Sequence, residues 1–187
     1  MADPMADATA PSVISAAQFR SLMTTFPSGV TVVTSSQEGR PPRGATCSSL
    51  SSVATEPATL LVCLKQTSHT LAAILGSAAF AVNLLHDQAE HTAALFASSV
   101  PDRFARVRWT DEPSFGGPHL VDDAHTVADC HVARTVPVGD HTVVFGEVFR
   151  VSTPTGRSSD PLLYALRSYW SMNQGEAAIR PVDATLR

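Results

Sequence analysis

Residues 126–152 read TVADCHVARTVPVGDHTVVFGEVFRVS. Val127, Val132 and Val136 recur among polar residues, Val138-Gly139-Asp140 is a turn signal, and a β-branched run returns from His141 to Ser152. This pattern predicts a long antiparallel hairpin. Outward from it, Val30–Ser35, Arg43–Cys47, Thr59–Leu64 and Phe80–Leu85 read as further strands, with Glu38-Gly39 as a hairpin turn between the first two. Leu162–Tyr169 reads as a last strand or short turn. Helices are few. Ser15 with Gln18 forms a capping box ahead of Phe19, Leu22, Met23 and Phe26 at helical spacing, so a helix ends near Thr25. Leu71–Leu75 carries a second helix that Gly76 closes. Asp87 with Glu90 reads as another capping box, opening a third through about Ala97, with Ala94, Leu95 and Phe96 facing the core. Asp102–His119 has few periodic signals and reads as a loop crossing the surface. The strands cluster without regular β-α-β alternation, which favours a mainly β chain with a few helices, closed as an antiparallel barrel, over a doubly wound sheet. No G-x-G-x-x-G follows a strand, so a nicotinamide cofactor would not sit on a Rossmann unit.

The bounds agree with one domain. The chain has 187 residues, enough for a substantial core. Residues 1–14 are expected as a disordered tail, 15–172 as the domain and 173–187 as a C-terminal tail. A net charge of −4, with thirteen Lys and Arg scattered along the chain, argues against a nucleic-acid surface. No apolar run is long enough to span a membrane, and the acidic start does not resemble a signal peptide. Three cysteines, Cys47, Cys63 and Cys130, without C-x-x-C spacing, point to a reducing compartment and a cytoplasmic protein. The histidines do not fall in a metal-ligand register, and no metal is expected.

The chemistry concentrates in residues 43–70, RGATCSSLSSVATEPATLLVCLKQTSHT. Thr46, Cys47, Ser48, Ser49 and Ser52 offer little to a hydrophobic core, and their small side chains let a flat ligand approach the backbone. Thr67 or Ser68 at a helix start leaves N–H groups for an anion, and Lys65 adds a positive charge. Together these suit a flat polar ring carrying a phosphate. Taken alone, the same residues also fit a Ser-rich surface loop and an ordinary helix cap.

The stretch resembles the flavin-binding signature of the short-chain flavin reductases, the reductase components of two-component flavin-dependent monooxygenases. Further matches occur in order. Phe26-Pro27-Ser28-Gly29-Val30 resembles the family's opening strand, and Asn83-Leu84-Leu85 with Asp87-Gln88 resembles its middle segment. Asp102-Arg103-Phe104 follows. Gly139-Asp140-His141 resembles its nicotinamide-site motif, and Pro161-Leu162-Leu163-Tyr164 its last strand. The resemblance spans roughly Phe19 to Tyr169. It implies an FMN-binding split β-barrel of Greek-key type that dimerises. It implies NAD(P)H-dependent reduction of FMN or FAD, with reduced flavin passed to a partner monooxygenase. Among site residues it implies that Ser28, Thr46, Cys47, Ser48, Ser49, Ser52, Lys65, Ser68 and Tyr164 face the flavin. Arg103 faces the flavin phosphate or the partner subunit, and His141 positions the nicotinamide. Without the resemblance, His141 reads equally as a surface histidine beside a turn. Two positions depart from the family pattern. Cys47 replaces a small unreactive residue, an opening for oxidation to disturb flavin binding. Arg167-Ser168-Tyr169 replaces Arg-Gly-x-Tyr. The rival readings are an electron carrier that keeps its flavin and a non-catalytic binding barrel.

Overall fold

The computed structural model describes residues 13–154 and 160–172. Helix α1 (Ala16–Thr24) leads to β1 (Ser28–Gly29), β2 (Thr31–Ser35), β3 (Arg43–Cys47), β4 (Ser51–Thr55) and β5 (Ala58–Lys65). Helix α2 (His69–Ser77), β6 (Ala79–Leu85) and α3 (Glu90–Ala97) follow, then a 3-10 turn at Arg103–Arg106 and the short strands β7 (Trp109–Thr110) and β8 (His119–Leu120). Last come the long strands β9 (Ala124–Val138) and β10 (His141–Ser152), then β11 (Leu162–Ala165) and β12 (Ser168–Ser171). The expected hairpin at Gly139-Asp140 is β9–β10, with His141 paired to Val138 across the turn.

Seven strands form one sheet in the order β3-β2-β6-β9-β10-β5-β4, antiparallel at every step. Laid flat, its outer strands would stand about 29 Å apart, at roughly 4.8 Å per strand. They are joined only by residues 48–50, which span at most about 14 Å from Cys47 to Ser51. The sheet must therefore curl until its edges approach. Ser49 clips that seam: its Oγ accepts from the Cys63 amide at 2.9 Å and donates to the Cys63 carbonyl at 3.2 Å.

The buried strand β2 serves two cores, because successive residues point to opposite faces. Val33 joins Val62, Phe80, Val82, Val144 and the α2 residues Leu71 and Ile74. Val32 joins Leu85, Ala93, Phe96, Leu120 and Leu162. Gly146 makes room for the Phe80 ring, since a Cβ there would lie 2.4 Å from Phe80 Cζ.

Several expectations need correction. Ser51–Thr55 is a strand that the sequence reading left unassigned; all five residues are exposed at the sheet edge, so no apolar alternation marks them. Helix α2 ends not at Gly76 but at Ala78, which takes the left-handed conformation at φ 57°. The expected box at Asp87 does not form: α3 starts after Ala89 without a side-chain cap, and Asp87 Oδ2 instead accepts from Ser171. Ala94 is exposed, and α3 buries Thr92, Ala93, Leu95 and Phe96. The Ser15–Gln18 capping box does form, but α1 buries none of its residues against this chain.

The segment after Arg106 is no surface loop at its end. His119 and Leu120 are buried. Buried Asp129 ties the segment down, accepting from the Gly116 amide at 2.8 Å, His119 Nε2 at 2.8 Å and Arg150 Nε at 2.9 Å. The Phe115 ring stacks on His119 at 3.8 Å, and the Arg150 guanidinium lies 4.0 Å over Phe115. Gly116 presses so closely on β6 that a Cβ would meet the Phe80 carbonyl oxygen at 2.3 Å.

Candidate functional site

The expected flavin residues fall into two groups joined by the seam. The first lines a cleft of about 690 Å³ between α1, the 48–51 crossover and the β11–β12 turn. Ser28, Ser48, Ser49 and Tyr164 meet there, with Arg20 and Arg167 on the same walls. β1 brings Ser28 in because it pairs with β11, Ser28 opposite Tyr164. Ser48–Leu50 lies outside the strand ladder and lines the cleft. The β11–β12 turn is tight, and both its central residues have positive φ, Leu166 at 52° and Arg167 at 64°. The Leu166 amide donates to the Thr24 carbonyl at 2.8 Å, fixing this turn to the end of α1.

The second group stands further along β5. Its register sets His141 opposite Lys65, the only lysine in the chain. Cys63, clipped by Ser49, is two residues before Lys65, about 7 Å along the strand. The Gln66 side chain donates to the carbonyls of Gly139 and His141, and its amide to that of Asp140, which fixes the hairpin end. Asp140 accepts from His141 Nδ1 at 2.8 Å. A carboxylate only accepts, so this bond sets the proton on Nδ1 and turns Nε2 outward. The same hydrogen bond from His141 and its charge hold the Asp140 carboxyl below its ordinary range. Ser68 caps α2, its Oγ accepting from the Thr70 and Leu71 amides at 3.2 and 3.5 Å. Two of the N–H groups expected to meet an anion are thus already taken by Ser68 itself.

Three expected residues stand elsewhere. Thr46 turns its hydroxyl to the Ala93 carbonyl of α3 at 2.6 Å, because β3 packs against that helix. Ser52 lies on exposed β4, paired with Leu60, and does not line the cleft. Arg103 donates to the Phe96 and Ser98 carbonyls at 2.9 and 3.4 Å, satisfying the open end of α3. It lines a different cavity, with Arg43. Cys47 is buried, and its Sγ sits 3.1 Å from Ser49 Oγ. Burial raises its thiol pKa despite hydrogen bonds from Ser49, so the thiolate that oxidation needs is suppressed.

Arg20 and Arg167 were not singled out from sequence. Arg20 lies among the apolar positions of a helix, and Arg167 stands in the segment that departs from the family pattern. Only the fold brings both to one cleft. Among the described residues, no three His, Cys, Asp or Glu side chains gather as a metal cluster.

The described chain is a curled antiparallel sheet whose seam carries a hydroxyl-lined cleft, with His141 at the end of the long hairpin opposite Lys65. Residues 23–172 match the flavin reductase like domain, and the chain belongs to that family. It is 46% identical over 157 residues to a flavin reductase (NADPH) of Lentzea aerocolonigenes, covering 83% of this chain and 89% of the relative. To a flavin reductase (NADH) of Kitasatospora aureofaciens it is 41% identical over 160 residues, covering 86% and 83%. Among solved structures it is similar to nitrilotriacetate monooxygenase component B from Mycobacterium thermoresistibile. There the TM-score is 0.77 and the identity 32%, over 91% of this chain and 94% of the other.

Proposed function

We propose that this protein is an NAD(P)H-dependent flavin reductase that reduces FMN or FAD and supplies the reduced flavin to a partner monooxygenase. The observation that carries the reading is the seam. The segment that joins the sheet edges, Ser48–Leu50, walls the cleft with Ser28 and Tyr164, while Ser49 clips the strand that ends at Lys65 opposite His141. The residues present fit a flavin. Backbone outside the ladder suits the polar edge of its ring, and Arg167, Arg20 or Lys65 suits its phosphate. When bound, the nicotinamide donates a hydride and the flavin accepts it, so the chain need supply no acid or base for that transfer. Its residues bind and orient. Asp140 holds the His141 imidazole, whose Nε2 edge would position the nicotinamide carboxamide.

The finer architecture is a split barrel working as a homodimer. Two features support it. The seam is closed by a side chain rather than a full ladder. On α1, moreover, Phe19, Leu22 and Met23 are 52%, 60% and 45% exposed, and Phe26 just past its end is 64% exposed, an apolar face that a second copy would cover. The reading also places the protein in the cytoplasm, in keeping with three free cysteines. Among the described residues no helix is long and apolar enough to cross a membrane.

The test is turnover of free flavin. Purified protein with excess FMN or FAD and either NADH or NADPH should oxidise many equivalents of nicotinamide per protomer. Consumption that stops at one equivalent would mark a carrier that keeps its flavin, and none at all would discard the reading. Light scattering should give twice the chain mass at micromolar concentration, and a stable monomer would reject the dimer.

A further inference from the structure

An apolar cavity of about 240 Å³ is left unused by this chemistry. It lies among Val30, Leu50, Leu84, Leu85 and Leu162, and Leu50 is the one residue that lines both it and the flavin cleft. Two of its lining residues have polar side chains, Thr31 and His125. Thr31 donates its hydroxyl to the Cys47 carbonyl at 2.8 Å and is thereby satisfied. His125 is presented by a slip in the ladder between β6 and β9. Leu84 pairs with Thr126 and Leu85 with Ala124, which leaves His125 as the extra residue of a bulge. Bulges re-aim a side chain and are common beside functional sites.

The neighbouring threonine fixes the tautomer of this histidine. The Thr126 hydroxyl donates to the His125 carbonyl at 2.8 Å. Its Oγ1 therefore accepts from His125 Nδ1, 3.2 Å away, and Nε2 keeps a lone pair. Among the described residues no donor meets that Nε2. Burial and, after it, the charge of His86 lower the His125 pKa, so the ring is neutral at pH 7.

We propose that this cavity binds a single-ring phenol, with the ring among the leucines and the hydroxyl donating to His125 Nε2. An apolar cavity of about 150 Å³ already holds benzene. One of about 240 Å³ takes a ring with its hydroxyl. A neutral acceptor selects a neutral donor, whereas an aromatic carboxylate would be buried among leucines with no counter-charge. Gly29 keeps the space open, since a Cβ there would meet no atom within 4 Å. The site stands on the cavity and on His125, not on the flavin reductase reading.

The experiment is an NMR titration of the full chain with phenol, following the methyl groups of Leu50, Leu84 and Leu85 and the His125 ring. Wild type should saturate. Anisole keeps the ring but lacks the donor, and should bind roughly three- to tenfold more weakly, the worth of one neutral hydrogen bond. His125→Leu should abolish that preference, so that phenol and anisole bind alike. Gly29→Val should lose both ligands while unfolding near the wild-type Tm. No saturation by wild type, equal binding of phenol and anisole, or a preference that survives His125→Leu overturns the proposal. Saturating FMN supplies the last arm and should leave phenol affinity unchanged. Competition would give the cavity to the flavin's own ring edge and overturn the proposal too. Wild type that binds phenol but no FMN would instead sink the reductase reading and leave the phenol site standing.

Discussion

Replacing Asp129 with Asn keeps the shape of the side chain and removes its charge. The wild-type carboxylate is fully buried and accepts three donors, from Gly116, His119 and Arg150. In the variant one of these donors must face an NH2 group, and the buried part of the Arg150 charge loses its counter-ion. Removing one partner of a buried charged cluster costs about 3–5 kcal/mol. Asn still accepts through its remaining oxygen, so about 3 kcal/mol is expected. At roughly 2–4 °C per kcal/mol for a chain of this size, the Tm should fall by about 6–12 °C. The pH dependence follows from the sign of the pKa shift. Burial alone would raise the Asp129 pKa, but the bonds from His119 and Gly116, with the charges of His119 and Arg150, outweigh it. They hold it below the ordinary 3.8. A lowered carboxylate pKa stabilises the fold above the unfolded value, and that contribution is lost as pH falls through the folded value. The gap between wild type and variant should therefore be full near neutrality and narrow below about pH 4. Thermal unfolding followed by circular dichroism, from pH 7 down to pH 3, measures both effects. Equal Tm values at pH 7, or a gap that does not narrow in acid, would refute the role given to Asp129.

Lys65→Ala and Ser68→Ala should raise the KM for flavin more than they lower kcat, because a phosphate contact is made alike in ground and transition states. The Lys65 change should be the larger, and unchanged flavin affinity would remove Lys65 from the site. Ser68→Ala should also cost about 1 kcal/mol of stability, measured in urea, through the lost cap. Leu166→Gly should stabilise the fold by about 1 kcal/mol, since glycine tolerates the positive φ that leucine is forced to adopt; a loss of stability would contradict that reading of the turn.

The long hairpin was legible because Val127, Val132 and Val136 recur among polar residues and Gly139-Asp140 supplies a turn. The same logic found β2, β3, β5 and β6. It failed at β4, where every residue is exposed and Ser51 and Ser52 look like loop. It failed at residues 116–119, whose burial depends on Asp129 and Arg150 far along the chain, contacts that carry no periodicity. Helix α1 shows the converse: its apolar spacing is real, yet none of its residues is buried on this chain. For the site, the structure brings Ser48 and Ser49 to one cleft and sets His141 opposite Lys65, while the side chains of Thr46, Ser52 and Arg103 lie at an α3 carbonyl, a sheet edge and a helix end. Arg20 and Arg167 reach the cleft only through the fold.

The most direct test of the proposed site is anaerobic stopped-flow reduction of flavin-loaded protein by NADH and NADPH, wild type against His141→Ala. The account predicts that the variant still binds flavin with wild-type affinity. It predicts reduction slowed by on the order of a hundredfold, because a misplaced nicotinamide loses the geometry of hydride transfer. An unchanged reduction rate and nicotinamide dependence would return His141 to the role of a surface histidine beside a turn and contradict the site as drawn.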